Sequence, residues 1–382
     1  MSREREYWLA LSTIEGLGSV RITRLLEYFG DPLSIWKAGK NELARIIGNG
    51  PVLEKVLEQR KEMDILSLLE KLQKKVINYR LLIDDEYPEE LKSLYDPPPV
   101  LYYKGDFSFI EPAVSIIGSR RCTAYGRKTA ERLAYDLVQC GISIVSGMAR
   151  GIDTHGHIGA LKGKGKTIAV LGSGLDIIYP PENKDLFQEI QKSGVVISEY
   201  PPGVKPHPGN FPQRNRIISA LSLGVVVVEA ADRSGSLITA DLALEQGREV
   251  FAVPGNIDRV TSRGCNNLIK RGAKLVSNIE DIMEELFLFK NKKRDNNFQQ
   301  ESKTNNEERN KSYPSLSEDE RKIIDIVQEE IEIHINKIVE KSGFNISQVN
   351  TILLKLELKG LVSREAGKKY SFLGLQNLLK PL

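Results

Sequence analysis

The sequence predicts an α/β fold built on a doubly wound parallel sheet, and three observations support this prediction. Six nearly continuous apolar runs of strand length occupy the middle of the chain: "AVSIIG", "ISIVSG", "TIAVLG", "VVISEY", "VVVVEA" and "EVFAVPG". Stretches with helical spacing, such as "TAERLAYDLVQC" and "KDLFQEIQKSG", separate them. Continuous rather than alternating apolar strands are typical of a sheet that helices cover on both faces. Glycine and polar residues gather where the runs end, which is where such sheets bind ligands.

Length and local composition predict several domains. The chain has 382 residues, which is more than one ordinary hydrophobic core holds. Residues 290–312 are almost devoid of aliphatic side chains, so their burial cannot offset the entropy of ordering them. We therefore expect a helical domain at 1–75, the α/β domain at 76–288, a flexible linker at 289–314 and a small domain at 315–382.

Composition also argues against several classes of protein. The apolar runs are far shorter than a membrane span, and "MSREREYW" is too charged to begin a signal peptide. The scattered Cys122, Cys140 and Cys265 suit a reducing cytoplasm and predict neither disulfides nor a zinc site. A net charge of +3 permits a nucleic-acid partner without demanding one. We expect a cytoplasmic protein with no metal, no cofactor and no membrane contact.

The predicted strand ends carry residues that suit an anion. Glycine allows a tight turn and a close approach of the ligand to the backbone. The N–H groups at the next helix start then favour negative charge. One such glycine is often needed only for the tight turn between a strand and a helix. Several such turns in succession favour a shared phosphate-binding crevice. The candidates from these turns are Gly118, Ser119, Arg120, Arg121, Ser146, Gly147, Arg150, Ser234, Gly235 and Ser236.

Further basic, polar and aromatic candidates lie between the strands. They are Asn183, Lys184, Phe187, Arg214, Asn215 and Arg216. The apolar residues after Arg214 and Arg216 share one face of a predicted helix, so both arginines are expected at the exposed mouth of the crevice. Phe187 follows Lys184 by three residues on one helical face. A cation beside an aromatic ring is the elementary unit of single-strand binding, although spacing alone favours a core position for Phe187.

No catalytic set is evident from the residues. "GSGLDI" lacks the third glycine of a dinucleotide fingerprint, and "GKGKT" at 163–167 leads into a strand where a P-loop leads into a helix. His155 and His157 stand two residues apart on a predicted helix and do not share a face, which argues against a metal site. Asp153 is expected to cap that helix. Glu229 is the strongest candidate for an enzymatic acid, but no nucleophile is paired with it.

Seven motifs occur in order between about 115 and 285. They are "IIGSRR", "VSGMARGIDTHGHIGAL", "TIAVLGSGLDIIYPPENKDLF", "ISEYPPG", "FPQRNRIISALS", "VVVVEAADRSGSLITADLALEQGREVFAVPG" and "GCNNLIKRGAKLV". Together they resemble the DNA-processing protein family, called DprA or Smf. The resemblance implies an extended Rossmann-like fold, single-stranded DNA binding, a homodimer and loading of the RecA recombinase during natural transformation. It implies no enzymatic activity.

The same resemblance implies roles for individual residues. Arg120 would contact a DNA phosphate, and the turn amides around Ser119, Ser146 and Gly147 would line the same pocket. Lys184 would hold a phosphate and Phe187 would stack on a base, which reverses the inference from spacing alone.

An enzyme of the same superfamily is the rival interpretation. A nucleoside-monophosphate phosphoribohydrolase carries a motif like "PGGxGTxxE" at the corresponding turn. Here "RSGSLITAD" has no second glycine pair, and Asp241 only approximates the acid. This departure favours binding over hydrolysis.

The two end regions suggest known small folds. "IEGLGSVRITRLLEYFG" at 14–30 resembles a helix-hairpin-helix (SAM-like) motif, whose amides could meet DNA, although packing on the core or on a partner is equally open. The last region reads as three helices and a hairpin and resembles a winged helix. Asn345 or Ser347 would begin its third helix, and Gly367 would lie at the tip of the wing. Duplex binding and protein contact both remain open for this region.

Overall fold

The computed structural model describes residues 2–107, 112–286, 318–328, 333–358, 361–365 and 369–372. The chain divides into two compact units, 1–300 and 301–382, each of which is described by itself. The predicted linker at 289–314 lies outside the described residues. No helix in the parts that the structure describes is both long enough and apolar enough to cross a membrane.

The first unit begins with six short helices. They span Ser2–Thr13 (α1), Ser19–Phe29 (α2), Pro32–Lys37 (α3), Lys40–Ile47 (α4), Pro51–Glu62 (α5) and Ile65–Lys74 (α6). Local signals set several of these boundaries. The Asp31 side chain accepts a hydrogen bond from the Ser34 N–H at 2.9 Å and so caps α3, which begins at Pro32. Asp64 caps α6 in the same way.

The nine-stranded sheet is the centre of this unit. Its strands are Asn78–Leu81 (β1), Val100–Gly105 (β2), Ala113–Ile117 (β3), Ser143–Ser146 (β4), Thr167–Leu171 (β5), Val195–Ser198 (β6), Gly224–Val227 (β7), Glu249–Ala252 (β8) and Lys274–Leu275 (β9). They lie in the order β1-β2-β6-β5-β4-β3-β7-β8-β9. β2 pairs antiparallel with β1 and β6, and every other pairing is parallel. All six predicted apolar runs form strands, so the predicted fold class is confirmed.

Helices cover both faces of the sheet. They are Glu89–Lys92 (α7), Ala124–Gln139 (α8), Ile152–Lys162 (α9), Lys184–Ser193 (α10), Asn210–Ala220 (α11), Gly235–Glu245 (α12), Val260–Lys270 (α13) and residues 279–286 (α14). Neighbouring residues of β3 show why its sequence is apolar throughout. Ile116 packs in a cluster with Leu133 of α8, whereas Ile117 packs on the other face with Ile217 of α11.

The six N-terminal helices pack against the sheet through a common hydrophobic cluster. Trp8 and Leu25 belong to the same buried cluster as Tyr102 of β2 and Phe187 of α10. Charged contacts reinforce this packing, since Arg5 of α1 donates two hydrogen bonds to the Asp84 carboxylate. The helical segment therefore shares its core with the α/β part of the unit.

The strand order places a crevice at a defined point. From β3 the chain moves outward through β4, β5 and β6, and then returns to β7 on the other side of β3. The loops that follow β3 and β7 consequently leave the sheet in different directions. In doubly wound sheets this switch point, at the carboxyl ends of the strands, is where ligands bind.

The second unit contains three helices and a small sheet, as expected for a winged helix. Its elements are Glu318–Gln328 (α15), Ile333–His334 (β10), Ile335–Ser342 (α16), Ile346–Leu358 (α17), Val362–Glu365 (β11) and Lys369–Phe372 (β12). The strands lie in the order β10-β12-β11, and both pairings are antiparallel. Asn345 caps α17 by accepting from the Gln348 N–H at 2.9 Å, while its own N–H donates to Gln348 Oε1. Gly367, the expected wing tip, lies outside the described residues.

Candidate nucleic-acid interface

A cleft of about 660 Å³ opens at the switch point, between the loops that follow β3 and β7. It is lined by many of the predicted site residues: Gly118, Ser119, Arg120, Arg121, Arg214, Asn215, Ser234, Gly235 and Ser236. A small adjoining pocket is lined by Gly147 and Arg150 together with Arg120. Residues from four separate loops and helix starts therefore meet in one place.

Two further candidates stabilise the loops behind the cleft instead of lining it. The Ser146 hydroxyl is buried and donates to the Ile116 carbonyl at 2.6 Å, so it joins β4 to β3. The Asn183 amide is also buried and donates to the Met148 carbonyl and the Thr154 hydroxyl, both at 2.9 Å. Their polar groups are satisfied within the protein.

The structure places Lys184 and Phe187 away from the lining of both pockets. Lys184 is exposed at the start of α10. Phe187 is 3% exposed and lies in the cluster that the N-terminal helices share with the sheet. Its ring has no face open to a base in this conformation, so the structure favours the core alternative for Phe187.

The prediction that Arg214 and Arg216 stand at an exposed mouth is wrong, because they are only 3% and 8% exposed. Arg216 donates to Glu199 at 2.7 Å and to Asp96 at 2.9 Å. Burial opposes the charge of Arg216, but these two carboxylates outweigh it and raise the pKa of Arg216. The side chain therefore connects α11 to two distant segments and is not available for a ligand phosphate.

Arg214 forms part of the floor of the cleft. Its Nη1 donates to the carbonyl of Gly147 at 2.6 Å and to that of Val170, so it bridges the ends of β4 and β5. A Cβ at position 147 would lie 2.6 Å from Arg214 Nη2, which explains why glycine stands there. Burial lowers the pKa of Arg214 to about 10, and the guanidinium stays charged at neutral pH.

Asp153 does not cap its helix as predicted. α9 begins at Ile152 after Gly151, which places Asp153 inside the first turn. Its carboxylate instead accepts hydrogen bonds from the N–H groups of Gly147 at 3.1 Å and Ala149 at 3.4 Å. Burial raises the pKa of Asp153 to about 6, even though the charge of Arg214 opposes this shift.

An aromatic pair that the sequence analysis missed lines the cleft. The rings of Tyr179 and Phe211 have centroids 5.8 Å apart. The Arg120 guanidinium lies 5.1 Å from the Phe211 ring, and those of Arg214 and Arg150 lie 6.0 Å from Phe211 and 5.9 Å from Tyr179. Each aromatic residue directly precedes a proline, Tyr179 in the loop "YPPEN" before α10 and Phe211 in the first turn of α11 in "NFPQR", and this pattern is the signal that could have identified them.

The two helix starts near the cleft differ in charge. At the start of α12, Ser234 accepts from the Ser236 N–H, and the lining residue Gly235 is exposed. At the start of α8, the Glu229 carboxylate accepts from the N–H of Thr123 at 2.8 Å and from its hydroxyl at 2.6 Å. A carboxylate of the protein thus occupies the position that an anion would take at α8.

The remaining candidates for catalysis or metal binding have structural partners. His157 is buried and contacts the Thr167 hydroxyl at 2.7 Å, whereas His155 contacts Glu131 at 2.7 Å. Burial lowers the pKa of His157 to about 3, so it is neutral. Across the described ranges, no group of three His, Cys, Asp or Glu side chains is placed to hold a metal ion.

The fold and the cleft define a Rossmann-type protein with an arginine-lined crevice at the switch point of its sheet. Comparison with protein families narrows this class. The family model described as DNA recombination-mediator protein A matches residues 78–287, and the DprA winged helix domain matches residues 307–368. The chain belongs to the DNA-processing protein A (DprA/Smf) family, as its motifs indicated.

Individual relatives agree with this assignment. Protein Smf of Synechocystis is 38% identical over 96% of this chain and 98% of its own length. DNA processing protein DprA of Streptococcus pneumoniae is 48% identical over 53% of this chain and 72% of its own. An X-ray structure of the S. pneumoniae DprA superposes with a TM-score of 0.66 and 40% identity, covering 73% of this chain and 97% of that one. A Helicobacter pylori DNA processing protein A, whose structure was described for its single-stranded DNA binding mode, has a TM-score of 0.50 and 35% identity over 55% of this chain and 96% of that one.

Proposed function

We propose that the cleft binds single-stranded DNA without breaking it. The observation that carries this proposal is the arrangement of Arg120, Arg150 and Arg214 around the rings of Tyr179 and Phe211. Cations hold phosphates while aromatic rings stack on bases, and this combination tolerates any sequence because every base has a π-face. The single-strand binding described for the H. pylori relative supports the same assignment.

Arg120 and Arg150, the two exposed arginines of this arrangement, differ in how free they are to contact a phosphate. Arg150 donates to the carboxylate of Glu182, and both side chains of this pair are about half exposed. An exposed pair of this kind contributes little to stability, so a phosphate can displace Glu182 at small cost. Arg120 is exposed over the Phe211 ring and makes no ion pair with the residues that the structure describes. It is therefore the first choice for a phosphate contact.

Delivery of the strand to RecA by a homodimer during natural transformation is a further part of the proposal. The description of the matching family as a recombination mediator supports it, as does the resemblance of the ordered motifs. The division into a helical domain at 1–75, an α/β domain at 76–288, a linker at 289–314 and a winged helix at 315–382 belongs to the same proposal.

The contacts of the two acidic candidates weigh against the rival phosphoribohydrolase. Glu229 is 4% exposed and both of its carboxylate oxygens accept hydrogen bonds from Thr123. Asp241 lies on the exposed side of α12, where it pairs with Arg271. Incubation with AMP should therefore release no free adenine, and detection of ribose phosphate by chromatography would favour hydrolysis over binding.

A binding comparison tests the proposed function directly. Fluorescence anisotropy with a labelled oligonucleotide should show tighter binding of the single strand than of its duplex, with affinity falling as salt rises. Arg120→Ala should weaken binding to single strands of any sequence. Arg132→Ala is the matched control, because Arg132 lines a different groove on α8. Equal affinities of the two variants would reject the cleft as the binding site.

A further inference from the structure

The side chain of Asp176 connects the N-terminal helical segment to one wall of the cleft. Its Oδ1 accepts a hydrogen bond from the Gly203 N–H at 2.9 Å. Its Oδ2 accepts one from the ammonium group of Lys75, the residue that directly follows α6. One carboxylate therefore contacts two segments that are far apart in the sequence.

Gly203 stands at the base of the proline-rich loop that forms this wall. Its φ of 93° lies in the left-handed region, which glycine adopts without strain. The carbonyl of the next residue, Val204, accepts a hydrogen bond from the Gly174 N–H at 2.9 Å. Pro206 and Pro208, further along the same loop, line the cleft. The position of the wall is therefore set by hydrogen bonds at its base.

The segment that carries Asp176 also leads to the aromatic pair. Tyr179 follows Asp176 by three residues. At Gly174 an added Cβ would lie 2.6 Å from the Pro201 carbonyl oxygen and 2.8 Å from Asp176 Oδ1. The backbone of Gly174 therefore lies against both the loop and the Asp176 side chain, with no room for a side chain between them.

The charges around Asp176 favour its ionised form. The Asp176 side chain is 11% exposed, and that of Lys75 is 45% exposed. Burial opposes the charge of Asp176, but Lys75 and the Gly203 N–H outweigh it and hold the pKa of Asp176 below its usual value. Lys104 of β2 also faces both groups, and it remains after any change at Lys75. Loss of Lys75 should therefore weaken the anchoring of the wall without abolishing it.

We propose that Lys75 and Asp176 are positioning residues through which docking of the N-terminal helical segment controls the wall of the cleft. The effect on DNA affinity rests on the proposed function of the cleft, whereas the effect on the loop does not. Since such coupling is reciprocal, a partner that shifts α6 changes the affinity for a strand, and a bound strand changes the docking of α6.

The test uses the full chain and five variants. Lys75→Met and Asp176→Asn remove the ion pair, their combination completes a double-mutant cycle, and Lys75→Arg is the conservative rescue. Lys74→Met is the matched control, because Lys74 precedes Lys75 and forms its ion pair with the exposed Glu70. Amide hydrogen exchange is measured without DNA on peptides that cover 199–210. Single-strand affinity is measured by fluorescence anisotropy. The unfolding midpoint confirms that each variant is folded.

Lys75→Met and Asp176→Asn should each speed exchange over 199–210 and weaken single-strand binding about fivefold, which is a typical strength for coupling between two sites. The double variant should be no worse than either single variant, and Lys75→Arg and Lys74→Met should match the wild type. Unchanged exchange in both Lys75→Met and Asp176→Asn overturns the positioning role whether or not the protein binds DNA. Faster exchange with unchanged affinity overturns the coupling to the cleft. A wild-type protein that binds no single strand rejects the proposed function instead.

Discussion

Removal of the Phe211 ring should weaken single-strand binding and leave its salt dependence unchanged. The ring lies 5.1 Å from the Arg120 guanidinium and 5.8 Å from the Tyr179 ring, so it is one half of the stacking surface. Stacking of one base on an aromatic side chain contributes about 1–3 kcal/mol. At about 1.4 kcal/mol per tenfold change, Phe211→Ala should raise Kd about 5- to 150-fold. Phe211→Leu should recover only part of this loss, because leucine has no π-face.

The assay is anisotropy of a labelled single strand over a series of salt concentrations. Phe187→Leu is the matched control, because it changes the same residue type at a buried position. It should lower the free energy of unfolding by about 1 kcal/mol in a urea titration and leave Kd unchanged. The opposite pattern, with weaker binding only in Phe187→Leu, would show that the ring of Phe187 contacts the strand and that the aromatic pair does not.

Three further predictions concern the charged residues around the cleft. Arg120→Ala should make the slope of log K against log salt shallower by about 0.7, since one phosphate contact is lost; an unchanged slope in the anisotropy series would contradict that contact. Arg216→Ala should lower the free energy of unfolding by about 3 kcal/mol, because it removes the arginine partner of Glu199, whose side chain is only 14% exposed, and a loss below about 1 kcal/mol in urea would refute this. Asp153 has a folded-state pKa raised from 3.8 to about 6, so its contribution to stability is present below pH 3.8 and lost as pH rises to about 6. The stability of the wild type relative to Asp153→Asn should therefore increase by about 2 kcal/mol as pH falls from 7 to 4, and a constant difference would contradict the shift.

The turns of the cleft were predictable from the sequence because their determinants are local. Gly118 follows an apolar run and precedes Ser119 and Arg120, and Ser234 to Ser236 stand at the start of a helix after another such run. Parallel strands place their carboxyl ends at one edge of the sheet. These separate turns could therefore be expected to lie together before the strand order was known. The order itself, with β3 between β4 and β7, depends on pairings between distant segments.

The aromatic residue that faces the cleft was not predictable from spacing. Phe187 and Phe211 each stand three residues from a cation, Lys184 in α10 and Arg214 in α11. Only the tertiary structure separates them, because α10 packs its ring into the cluster shared with the N-terminal helices, whereas Phe211 lies at the first turn of α11 beside the cleft. Local pattern does not encode which neighbour covers a helix face.

The burial of Arg216 could not be predicted either. The apolar spacing in its helix indicated one covered face, but α11 packs against both β5 and α12. Burial of the guanidinium is tolerated because Asp96 and Glu199 come from other segments to pair with it. Such compensation is visible only once the chain is folded.

The contact between Glu229 and Thr123 makes the cleft asymmetric. The positive end of the α8 dipole is neutralised from within the protein, and a second anion there would be repelled by the carboxylate. The first turn of α12 carries no acidic residue, and its cap, Ser234, is neutral. Under the proposed function, a strand held by Arg120 would therefore place a phosphate at the start of α12 and not at the start of α8, and Glu229→Gln would remove the repulsion at α8.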